Sequence, residues 1–137
     1  MLLTSKSQIK NYYIFVVVVG FCWTFFLPHP YFSYGILFTM LAGFLVFGIN
    51  FLISFYRFKE LLQDCDPFLF QSYAKQFGPY KGKTLNNLIL FMEKDRLQSI
   101  RNKDFQYFYG ITNKSMHFSI LSFATIIAFV VLRAIVG

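Results

Sequence analysis

The sequence predicts an all-α membrane protein. It should have three transmembrane helices, an N-terminal hairpin plus a C-terminal span, with a small cytoplasmic helical insert between them. Two observations lead there. Hydrophobic residues make up 56% of the 137 residues and charged residues only 14%, against about 25% charged in ordinary soluble domains. The apolar residues also gather in three long runs, 12–27, 35–56 and 116–136. A chain of this length holds one domain, which cannot hide that much apolar surface from water, whereas lipid can solvate it.

The net charge of +7 is placed as a membrane protein places it. Lys6 and Lys10 precede the first run, ten basic residues and all six acids fall between Arg57 and Lys114, and only Arg133 remains beyond. The basic excess therefore flanks the apolar runs, as the positive-inside rule requires. Anionic headgroups account for it, and no nucleic-acid partner is expected. With the basic segment inside, the chain is expected in the inner (cytoplasmic) membrane, N-terminus cytoplasmic and C-terminus outside.

Residues 1–11 read as a short cytoplasmic head. Tyr12 to Leu27, YYIFVVVVGFCWTFFL, is uncharged and resembles a signal-peptide core, but no small-residue cleavage pattern follows, so an uncleaved first span is expected. Pro28 and Pro30 then stop the helix by removing N–H donors and restricting the residues before them. The connector to Tyr34 is short, which makes residues 12–57 a tight helical hairpin.

The second span, Gly35 to Tyr56, runs 22 residues without Lys, Arg, Asp or Glu. At 1.5 Å per residue this crosses about 30 Å of hydrocarbon. A soluble helix would rarely stay apolar on every face for that distance.

Residues 58–115 are patterned as a basic cytoplasmic helical region. Cys65-Asp66-Pro67 forms a helix corner, with Asp66 as N-cap and Pro67 at the first helical position. The next helix should carry Phe70, Tyr73, Ala74 and Phe77 on one face and stop at Gly78-Pro79. Thr84 is then expected to cap a further helix with Leu85, Leu88, Ile89 and Met92 on one stripe and Leu97 and Ile100 nearby. No window alternates apolar and polar residues for long enough to predict a sheet. Aromatic faces bordered by Lys75, Lys81, Lys83, Lys94 and Arg96 suit contact with a partner or with the bilayer surface, through Phe70, Tyr73 and Phe77. A cap folded back on the membrane bundle fits the same pattern.

The last span, Met116 to Val136, pairs small residues at helical spacing, Ser115 with Ser119 and Ala124 with Ala128, which permits close helix approach in lipid. Asn50 is the lone amide in span two, and a bond to Ser119, Ser122 or Thr125 would satisfy it. Arg133 lies close enough to the end to reach the headgroups.

Chemistry is sparse. Gly78 to Thr84, GPYKGKT, falls one residue short of a phosphate loop, has a proline after its first Gly and lacks a preceding buried strand. His29, His117, Cys22 and Cys65 are too dispersed to converge on a metal. Neither a catalytic residue, a cofactor nor a metal is expected, and the chain reads as a non-enzyme.

At Leu61 to Tyr73, LLQDCDPFLFQSY, the chain resembles the universal stress protein B family of small bacterial membrane proteins. The order of elements is similar over residues 51–136, and the likeness is densest from Cys65 to Gln71; the first span is additional. The resemblance implies a cytoplasmic helical middle between spans and a role in stress survival, with no catalytic residues to carry over. The expected function is therefore binding of a membrane-protein partner, a second copy or the anionic bilayer by the cytoplasmic helices, in envelope stress. The alternatives are an immunity protein against a membrane-active toxin and an accessory subunit of a transport or secretion complex.

Overall fold

The computed structural model describes residues 3–76 and 83–137. Three long helices form the frame: α1 (Lys6–Phe26), α2 (Phe32–Cys65) and α6 (Lys103–Val136), each long and apolar enough to cross a membrane. Between α2 and α6 come α3 (Pro67–Tyr73), β1 (Ala74–Gln76), β2 (Lys83–Leu85), α4 (Ile89–Met92) and α5 (Lys94–Ser99).

The three long helices run up, down and up. The guanidinium of Arg133 lies over the Phe32 ring at one end, and Phe129 meets Phe21 and Phe25 near it. At the other end Asn50 bonds Ser115. At its 21 residues α1 extends about 31 Å, whereas the 34 residues of α2 and of α6 extend about 51 Å. The long pair therefore outruns α1, and the overhang carries the described residues between 66 and 102.

Close contact between α1 and α2 is made at two reciprocal points. A Cβ on Gly35 would stand 2.7 Å from the backbone nitrogen of Thr24, and one on Gly20 would overlap the Thr39 hydroxyl. Each helix thus offers a glycine to a threonine of the other, four residues apart on both. The small residues expected to bring helices together, Ala124 and Ala128, are instead exposed and Ser119 is half-buried, while Ser115 and Ser122 are buried. The approach is fixed by which face of α6 meets its neighbours, and spacing alone did not reveal that face.

Within α2, Thr39–Leu45 is wound as π helix. The Tyr12 hydroxyl of α1 donates to the Ala42 carbonyl there at 2.8 Å, and Thr39 donates back to the Gly35 carbonyl at 2.9 Å. Side chains thus bond backbone oxygens in and beside the wide turn.

Two expectations for the insert are corrected. The helix after Asp66 ends at Tyr73, not at Gly78, because Ala74 turns extended and pairs with Leu85. A short antiparallel ladder follows, Lys75 opposite Thr84 and Gln76 opposite Lys83, where no sheet was expected. Three residues per strand are too few to give an alternating pattern. Thr84 accordingly sits in a strand; Asn86 organises the next turn, its side chain accepting from the Leu88 N–H at 3.1 Å. The Gly78-Pro79 stop and the whole GPYKG stretch lie outside the described residues.

Candidate functional site

The most developed feature outside the three long helices is the cap, and its construction begins at the helix corner. Helix α2 ends at Cys65, and Asp66 leaves helical geometry at φ −144°, ψ 78°. Its carboxylate accepts from the Leu69 N–H at 3.1 Å, capping α3, with Pro67 at the first position where no N–H is needed. The same carboxylate receives Arg96, with Nε to Oδ2 at 3.1 Å and Nη2 to Oδ2 at 3.0 Å. One acid therefore starts α3 and ties it to α5.

The far side is closed by amides. Asn102 accepts from Asp104 and Phe105 at 2.9 and 3.1 Å to start α6. Gln106 donates to the carbonyls of Leu97 and Ile100 at 2.8 and 2.7 Å, satisfying the end of α5. Sequence reasoning overlooked Gln106, because its partners are chosen by the chain reversal at 100–102.

Inside these ties lies one apolar core. Phe58 and Leu62 from α2, Phe105, Tyr109 and Met116 from α6, Leu69 and Phe70 from α3, Leu85 from β2, Ile89 and Leu90 from α4, and Leu97 from α5 are all buried together. The cap thus packs against the ends of its own bundle.

That packing reassigns several candidate contact residues. Phe70 is buried in the core, and Tyr73, half-buried, packs one side against it. The Tyr73 hydroxyl donates to Glu93 Oε1 at 3.0 Å. The hydrogen bond to that carboxylate, with some desolvation and the negative charge itself, raises the phenol above its ordinary value of 10.0. Arg96 is engaged by Asp66 and stands 6.0 Å from the Phe68 ring. Lys94 opens α5 and is exposed. Lys75 and Lys83 enter as backbone partners in the ladder; Phe77 and Lys81 lie outside the described residues.

The apolar side chains that do remain open are others. On the short α4, Ile89 and Leu90 turn inward, while Leu88 before it and Phe91 and Met92 on its outer side are exposed, Met92 at 69%. Phe68 is exposed at 72% on α3. The expected stripe of Leu85, Leu88, Ile89 and Met92 is thus split between core and surface, since α4 is one turn long and apolar all round. A helix of that kind is normally covered.

Asn50 is completely buried, and its partner in α6 is Ser115, at 2.8 Å, rather than Ser119, Ser122 or Thr125. The amide also bonds both backbone groups of Leu3, which places it level with the start of α1. Thr24, Thr112 and Ser122 have buried hydroxyl oxygens without a hydrogen-bond partner. No group of three His, Cys, Asp or Glu among the described residues stands close enough to hold a metal. No family model, curated protein or solved structure matches this chain.

Proposed function

We propose that the chain is a non-enzymatic, three-span protein of the inner membrane. In this reading the N-terminus and cap are cytoplasmic, the C-terminus is outside, and the cap docks on the anionic surface of the bilayer through Leu88, Phe91, Met92 and Phe68. Lys94 supplies charge at the border. The observation that carries the reading is that Phe68, Leu88, Phe91 and Met92 stay exposed on the cap, which is held on two helices that overrun a bilayer-length third. Supporting it, only 11% of the most apolar stretch of α6 is buried within the chain, which leaves a surface that lipid solvates and water does not. The excess of Lys and Arg on the cap side follows the positive-inside rule.

The test uses the full chain with Cys22 and Cys65 replaced by Ser and Met92→Cys carrying an environment-sensitive fluorophore. In vesicles rich in phosphatidylglycerol the emission shifts to the blue relative to phosphatidylcholine vesicles, and Lys94→Glu reduces the shift. A label that reports water equally in both lipids removes the docking surface. Envelope stress, implied by the resemblance around Cys65 to Gln71, is the biological setting proposed for it; unchanged survival of a deletion strain under membrane stress removes that setting.

A further inference from the structure

At the end of the bundle away from the cap, the first turns of α2 and the last turns of α6 part around a cleft of about 360 Å³. Phe32, Ile36, Val130 and Ala134 form its apolar walls, and Arg133 and His29 stand with them. The volume falls within the range of roughly 300–1,000 Å³ usual for small-molecule sites. Apolar walls with a cation in place describe an amphiphile's site, and the two halves exclude simpler ligands. An inorganic anion would leave the walls uncovered, and a neutral acyl chain would leave the cation unmatched.

The state of Arg133 makes the case specific. Its guanidinium sits 4.8 Å over the Phe32 ring, a contact that orders the group without neutralising it. The ion pairs of Arg57 with Glu60 and of Arg96 with Asp66 leave Arg133 out. A planar fork of donors held beside an apolar cleft matches a phosphodiester, which it can engage through two bonds at once. Arg133 is thus more than a residue reaching for the headgroup layer, because the cleft beside it supplies room for the chain attached to that headgroup.

We propose that this cleft is a binding site for an anionic phospholipid, with the phosphate on Arg133 and an acyl chain along Ile36, Val130 and Ala134. The proposal rests on the three-span reading, since it needs the bundle to lie in a bilayer with its hairpin end at the lipid–water boundary.

The test is photolabelling of the full-length protein in vesicles with phosphatidylglycerol carrying a diazirine in its acyl chain, against phosphatidylcholine carrying the same chain. Adducts are mapped by mass spectrometry. Labelling of residues 36 and 130–134 is expected to favour phosphatidylglycerol roughly tenfold, because phosphatidylcholine carries the same phosphodiester with a choline cation that offsets its charge beside Arg133. Arg133→Gln brings it to the phosphatidylcholine level, Arg133→Lys restores much of it, and Ile36→Trp blocks it with the cation still present. Circular dichroism confirms that each variant is folded. Equal labelling by the two lipids, or a preference that survives Arg133→Gln, overturns the site. Loss of labelling when excess inorganic phosphate is added assigns it to free phosphate and overturns the lipid. Extraction of the unmodified protein by alkaline carbonate is a separate failure, because it removes the three-span reading itself.

Discussion

Asn50 and Leu3 bond each other in both directions: the Leu3 N–H donates to Asn50 Oδ1 at 3.1 Å, and Asn50 Nδ2 donates to the Leu3 carbonyl at 3.2 Å. With the third bond, to Ser115 Oγ at 2.8 Å, one side chain of α2 joins the segment before α1 to α6. A second tie lies beside it, where the Tyr107 hydroxyl donates to the Thr4 carbonyl at 2.6 Å. The start of α1 is therefore held by backbone bonds made by side chains of both longer helices.

Replacing Asn50 with Leu removes all three bonds and leaves the buried Ser115 hydroxyl unpaired. A loss of about 1–3 kcal/mol is expected, the cost of buried polar groups deprived of partners. Unfolding in mixed micelles measures it, and limited proteolysis should cut the first residues faster. Identical unfolding and cleavage would show that Asn50 does not hold this end.

Gly35 and Gly48 make a matched pair on the same helix. Alanine at 35 meets the Thr24 backbone, which cannot move aside, whereas alanine at 48 meets nothing within 4 Å. Gly35→Ala is therefore expected to destabilise by about 1–3 kcal/mol. Gly48→Ala should be neutral or stabilise by up to about 1 kcal/mol through helix propensity. Equal effects at both sites would contradict the close α1–α2 crossing.

Asp66 performs two separable tasks. Asp66→Asn keeps an oxygen for the Leu69 N–H and loses the charge facing Arg96, so it should cost about 0.2–1 kcal/mol. Asp66→Ala also loses the cap, adding about 1 kcal/mol. In the Asn background a further Arg96→Ala should change little. Urea unfolding of these variants, with wild type and Arg96→Ala alone, gives the comparison; an additive Arg96→Ala effect would show that the ion pair contributes nothing.

Tyr73 gives a pH dependence with a definite sign. Its phenol is raised above 10.0 in the folded chain by Glu93, so the native state holds the proton more firmly than the unfolded state does. The contribution to stability is complete below pH 10 and disappears as the pH rises through the higher folded value. Difference absorbance during alkaline titration should place Tyr73 late, and Glu93→Gln should bring it toward 10. No change on that substitution removes the Tyr73–Glu93 bond from the cap.

The sequence by itself determined the three long apolar helices, the break at Pro28 and Pro30, and the corner at Asp66-Pro67. Each follows from local physics: apolar residues on all faces, a missing N–H, and a carboxylate placed to cap. Tertiary structure alone decided which small residues touch, that Phe70 and Leu90 turn inward while Phe91 and Met92 stay out, and that Ala74 leaves its helix to pair with Leu85. Those outcomes depend on partners distant in sequence. A one-turn helix that is apolar all round has no preferred face until Phe58, Leu62 and Phe105 offer it one.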